Sequence, residues 1–163
     1  MDVSESRPER IVVGVDGSAA SLRALEWALR EAALTGAGLE AVHAWEVPAA
    51  YGTGMVLAMP GNEEFESAAR EALARAVDQV AGNEPGVAIE QNTVAGHPAR
   101  VLIDAAEGAS LLVVGSRGHG GFVGTLVGSV SQYCVSHAPC PVVVVRDLSH
   151  EDKGRDHGKD REH

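Results

Sequence analysis

Between Leu111 and Val135 the chain reads LLVVGSRGHGGFVGTLVGSVSQYCV, an aliphatic run interrupted by Gly115, Gly118, Gly120, Gly121, Gly124 and Gly128 and resumed at Ser129. Glycine adds nothing to a core and loses more backbone entropy on folding than any other residue, so so dense a cluster calls for a chemical reason. A loop that leaves an apolar strand and enters a helix offers one. Its N–H groups and the positive end of the helix attract an anion, at about 0.3–2 kcal/mol per contact. Without Cβ atoms the backbone can approach phosphate oxygens closely. Ser129 is placed to cap the helix and to donate its hydroxyl to an oxygen. The loop holds no lysine, which leaves Arg117 and His119 as its sources of positive charge. The matching carboxylate is Asp16, at the end of the other strongly apolar stretch, RIVVGVDGS.

Two familiar phosphate motifs fail. G-x-x-x-x-G-K-[ST] is absent, and GSRGHGG follows the fourth strand with no acidic residue about 20 positions on, so it is not a dinucleotide fingerprint. Phosphoryl transfer needs a metal-holding carboxylate near the outer phosphates and a group to position the nucleophile. Asp16 is the one obvious carboxylate on the rim, and no Ser-His-Asp arrangement or metal-spaced His/Cys cluster is legible. A binding module is therefore expected, with a slow hydrolysing or nucleotidyl-transferring enzyme, acting through Arg117 or His119, as the alternative. Plainer roles stand beside these. Asp16 can cap its own turn, His97 can start a helix before Pro98, His43 suits a satisfied core histidine, and Trp45 suits packing.

These residues must be positioned by regular elements. Ser18 is a good N-cap for a helix carrying Leu22, Leu25, Leu29 and Ala32, which Gly36 or Gly38 ends. LEAVHAW is a second strand, and Glu46 to Gly61 reads as a long loop. Phe65, Ala69, Leu73, Ala76 and Val80 mark a second helix. VAIEQNTV alternates like an edge strand with one wet face. A third helix begins at His97-Pro98, SLLVVG is an apolar and hence central strand, and Val130, Tyr133, Cys134 and His137 mark a fourth helix. Pro139 stops it before the last strand, PVVVVR. Alternating strands and helices predict an α/β fold, a parallel sheet with helices on both faces. Ligands of such sheets bind beyond the carboxyl ends of the strands, where the strand order reverses. The first and fourth strands are the expected central pair, so topology alone brings Asp16 and Gly115 together.

At 163 residues the chain suits one domain, and 4% aromatic content leaves a core of Val, Ala and Leu. A net charge of −10 argues against nucleic acid or an anionic membrane as partner. It leaves a small anion possible, since surface charges beyond about 8 Å are screened at physiological salt. No membrane-length apolar run or signal peptide is visible, and the cytoplasm is the expected compartment. Cys134 and Cys140 are expected to be small apolar core residues rather than a disulfide. Residues 1–9 read as an N-terminal tail, 10–146 as the domain, and 147–163 as a charged tail too polar to fold.

Gly115, Gly118, Gly128 and Ser129 fit G-x2-G-x9-G-[ST]. With IVVGVDGS, VHAW, GHPARVLIDAA and GSVSQYCVSHAPCPVVVV, in that order, the chain closely resembles the ATP-binding subgroup of the universal stress protein family. That resemblance implies a Rossmann-like three-layer sandwich whose five-stranded parallel sheet has the order 3-2-1-4-5. It implies ATP as ligand, with Mg2+. Asp16 would hold the ribose hydroxyls, the backbone of Ala44 the adenine edge, and Gly14 and Val15 would pack near the base. Some family members carry proline where this chain has Gly14. Gly115 and Gly118 would line the ribose and α-phosphate; Gly128, Ser129 and Val130 would hold the outer phosphates. A homodimer is expected through the last strand: Pro141 to Val145 is apolar on both faces and ends the sheet, an edge that pairing with a second subunit would satisfy. A regulatory protein partner completes the expectation.

Overall fold

The computed structural model describes residues 8–46, 62–82, 86–117 and 127–147. Most of the expected terminal tails, nearly all of the loop from Glu46 to Gly61, and Gly118 and His119 lie outside the described residues. In chain order the elements are β1 (Arg10–Gly14), α1 (Ala19–Thr35), β2 (Gly38–Trp45), α2 (Asn62–Ala81), β3 (Ile89–Ala95), α3 (Pro98–Ala105), β4 (Leu111–Gly115), α4 (Ser129–His137) and β5 (Val142–Val145).

The strands form one parallel sheet in the order β3-β2-β1-β4-β5. β1 and β4 are the central pair, in the register Ile11 to Leu111 and Val13 to Val113. Their side chains alternate between two cores. Ile11, Val13 and Val113 face α1 and α2, together with Leu25, Leu29 and Leu73. Val12, Leu112 and Val114 face α3 and α4, together with Val101, Leu102 and Cys134. Helices thus cover both faces, which explains why both central strands are apolar without alternation.

Local chemistry sets the helix ends. The Ser18 hydroxyl accepts from Ser21 N–H at 3.2 Å, and Gly36 ends α1 in the left-handed region at φ 75°. His97 caps α3, its Nδ1 accepting from Ala99 N–H at 3.3 Å, with Pro98 in the first turn. Ser129 does not cap α4. The cap is Gly128, with no side-chain hydrogen bond, and Ser129 is the first helical residue. The helix starts one residue earlier than a serine cap requires.

β3 starts at Ile89, later than the alternation from Val87 suggests, and Val94 is exposed. At the opposite edge β5 is half-buried throughout, Val143 and Val145 against one core and Val142 and Val144 against the other. Cys134 is fully buried, and that burial raises its thiol pKa to about 11; Cys140 is half-buried and free.

Candidate functional site

The strand order reverses between β1 and β4, and a cavity of about 370 Å³ opens there beyond their carboxyl ends. That volume is in the range of small-molecule sites. Gly14, Val15 and Asp16 leave β1 into it; Val42, His43 and Ala44 come from β2; Gly115 and Arg117 follow β4; Val130 and Ser131 come from α4.

The turn from β1 to α1 is held by its own polar groups. Asp16 Oδ1 accepts from Ser18 N–H at 2.8 Å, while Asp16 N–H donates to Ser21 Oγ at 3.2 Å. Ser21 Oγ donates in turn to Ser18 O at 3.0 Å. Gly17 sits at φ 83°, which favours glycine and lets the chain reverse. The two central strand ends are tied together where the Ser18 hydroxyl donates to Arg117 O at 3.4 Å. Asp16 thus closes its own turn and stands exposed on the cavity wall.

Beyond the glycine loop, Gly128 N–H donates to Ser116 O and Ser131 Oγ to Gly115 O. These two bonds fasten the start of α4 to the end of β4. The first intrahelical bond is made by Gln132 N–H to Gly128 O at 3.0 Å. The amides of Ser129, Val130 and Ser131 precede it, so they have no acceptor within the helix. They form the anion-attracting end of α4, and Val130 and Ser131 lie on the cavity wall.

Gly115 is a glycine for a reason other than ligand approach. A Cβ there would lie 2.7 Å from the Ala20 carbonyl carbon and 2.9 Å from Ser21 N, inside the backbone of α1. At Gly14 the nearest atoms to a Cβ would be those of the Leu102 side chain, Cδ1 at 2.8 Å.

Seven residues singled out from sequence therefore meet at one cavity: Gly14, Val15, Asp16, Ala44, Gly115, Arg117 and Val130. Gly128 and Ser129 stand just outside its wall; Ser129 borders a neighbouring hollow with His97, Arg100 and Tyr133. Sequence reasoning missed Ser21, Val42, Pro98, Leu102, Val114 and Ser131, and it placed His43 in the core. His43 is half-buried on the cavity wall, with Nδ1 2.7 Å from Val15 O. Hydroxyls at helix starts carried the one available signal for Ser21 and Ser131; nothing in the pattern marks Pro98 or Leu102 as wall residues. Among the described residues no group of three His, Cys, Asp or Glu could hold a metal ion, and no helix is long and apolar enough to cross a membrane.

A model of the universal stress protein family matches residues 8–146. The chain belongs to the universal stress protein family. One curated relative is universal stress protein Rv2623 of Mycobacterium tuberculosis, 40% identical over 139 residues, covering 84% of this chain and 45% of the relative. The chain thus spans about half the length of the curated relatives it matches. Among solved universal stress proteins, UspA from Lactobacillus plantarum superposes with a TM-score of 0.69 at 26% identity, covering 86% of this chain and 99% of the other. A universal stress protein in complex with cAMP is 29% identical, with a TM-score of 0.60 and coverage of 84% and 95%. Two more family structures hold nucleotides: one from Archaeoglobus fulgidus with dAMP and one from Arabidopsis thaliana with AMP. Each is 25% identical, with TM-scores of 0.60 and 0.59 and coverages of 84% and 97%, and 88% and 95%. Structural neighbours within the family therefore bind adenine nucleotides.

Proposed function

We propose that this universal stress protein binds ATP in the cavity between β1 and β4 and acts as a nucleotide-controlled regulatory module with little or no turnover. The supporting observation is the placement of unlike surfaces around one opening. Val15, Val42 and Ala44 offer an apolar wall to a base, Asp16 a carboxylate to a ribose diol, and the start of α4 unpaired amides to phosphates. Gly118, Gly128 and Ser129 complete the phosphate end on the family pattern. Asp16 is the one carboxylate among the described wall residues, so Mg2+ would be carried by the phosphates and water rather than by a protein cage. The neighbours' cAMP, dAMP and AMP support the adenine and ribose part of this reading.

Mass spectrometry of nucleotide co-purifying with the folded protein, followed by calorimetry, tests it. Gly118→Val or Gly128→Val should abolish ATP binding with the fold intact; unchanged affinity in both folded variants removes the assignment. Arg117 on the wall favours the second reading, slow hydrolysis or nucleotidyl transfer. An ATPase rate in the usual enzyme range of about 1–1,000 per second, lost in Arg117→Ala or His119→Ala, would establish it.

A homodimer through β5 is part of the same proposal. Val142 to Val145 form a sheet edge without lysine or bulge, and sedimentation as a monomer at micromolar concentration would refute it. The cytoplasm is the proposed setting, and a protein that reads the nucleotide state is the proposed partner.

A further inference from the structure

Among the described residues the buried polar side chains are Ser21, Ser116 and Ser131, and each stands where an element enters or leaves the carboxyl end of the sheet. Ser21 commits its hydroxyl within its own turn, accepting from Asp16 N–H and donating to Ser18 O. Ser131 commits its hydroxyl across the glycine loop, donating to Gly115 O 16 positions earlier. A hydroxyl is buried at little cost only where a partner holds it, so this bond fixes where the first turn of α4 sits on the end of β4. Gly115 is also the residue whose missing Cβ makes room for the α1 backbone, so one strand end seats both helices. The bond falls inside the turn whose Ser129, Val130 and Ser131 amides precede the first intrahelical bond, and Val130 and Ser131 line the cavity. A hydrogen bond weakens steeply as its angle opens. A shift of this turn is therefore felt by a phosphate and not by a base seated on Val15, Val42 and Ala44. Resting on the ATP reading, and deepening it, we propose that Ser131 is a positioning residue for the phosphates. Its hydroxyl, committed to Gly115 O, sets the α4 amides for the phosphate chain and takes no part in holding the nucleoside.

ATP and adenosine share base and ribose and differ in the phosphates, so the ratio of their affinities is the readout. Calorimetry on the full chain should show ATP bound at least about tenfold more tightly than adenosine. Ser131→Ala removes the donor, and it should weaken ATP about tenfold while changing adenosine by less than about twofold. Ser131→Thr keeps the Oγ–H and should bind ATP within about threefold of the wild type. Urea unfolding checks that both variants are folded. If the bond only contributes to stability, Ser131→Ala lowers the unfolding midpoint and leaves the ATP-to-adenosine ratio as it was; that pattern overturns the proposal. An equal loss of ATP and adenosine affinity overturns it too, as does a folded threonine variant as weak for ATP as the alanine one. Equal affinities for ATP and adenosine in the wild type overturn it with the nucleoside end of the site left standing. Failure of the wild type to bind either ligand overturns the ATP reading itself, and this proposal with it.

Discussion

The two ends of the sheet are built on opposite plans. At the amino end polar groups are spent on one another. The Arg10 guanidinium bonds the Glu40 carboxylate, Ala105 O at 3.1 Å and Glu107 O at 2.8 Å, so it closes the last turn of α3 against β2. Asn92 Nδ2 donates to Glu40 Oε1 at 3.0 Å, and Ser110 Oγ to Arg10 O at 3.0 Å. At the carboxyl end Asp16, His43 and Arg117 stand around an opening. The difference is between charge that ties helices to the sheet and polar groups that line an opening. Changes at the amino end should alter stability and leave ligand affinity alone, while polar changes at the carboxyl end should do the reverse.

The carboxyl end should nevertheless contain the most damaging single change. Gly115→Ala forces a Cβ into the backbone of α1, and overpacking against an element that cannot rotate away should cost about 3 kcal/mol or more. Urea unfolding measures it; a loss under about 1 kcal/mol would mean that α1 shifts freely. Arg10→Met at the other end should come next. It leaves the largely buried Glu40 carboxylate with only Asn92, and removing one partner of such a pair should cost about 2 kcal/mol. Nucleotide affinity in the folded variant should stay unchanged, and a large drop would break the division between the two ends.

Smaller effects sharpen the comparison. Gly14→Ala presses first on the end of the Leu102 side chain rather than on backbone, so its stability loss should stay near about 1 kcal/mol, well short of that at Gly115. Asp16→Asn should move stability by less than about 0.5 kcal/mol, because an amide oxygen can still accept from Ser18 N–H. Its ATP affinity should fall about tenfold through loss of a charged acceptor, and calorimetry with equal affinities would remove Asp16 from the site. The two thiols give the finest contrast. Burial raises Cys134 to about 11, whereas the burial that raises Cys140 is only partly countered by a backbone hydrogen bond with Leu112 and by the charge of Arg10. Thiol labelling of the native protein at pH 8 should therefore modify Cys140 first. Because the folded Cys134 thiol holds its proton above the ordinary 9.0, its contribution to stability is complete below pH 9 and lost as pH rises toward 11. Cys134→Ala should flatten that decline in alkaline unfolding curves.

How far the sequence reached is clearest at three residues. Ser18 was legible as a cap because a hydroxyl directly before a helical apolar pattern has a local use, and the structure bears it out. Ser129 offered the same signal, yet Gly128 became the cap because its N–H is drawn to Ser116 O, fastening α4 to β4 across the loop. His43 looked like a core residue by its place in LEAVHAW, whereas it is half-buried at the cavity with Nδ1 2.7 Å from Val15 O, a contact between strand ends that the local pattern does not mark.

The sequence by itself determined the element order, the parallel sheet with its central apolar pair, and the meeting of Asp16 with Gly115. Periodicity, caps and the rule of the strand-order switch act over short stretches or follow from chain order. Only the tertiary structure decided that the missing side chain of Gly115 makes room for α1, that Arg10 closes the far end of α3, and that His43 stands with its Nδ1 committed to Val15. Each of these joins segments far apart in the chain, where the partner is chosen by how helices settle on the sheet and leaves no mark in the local pattern.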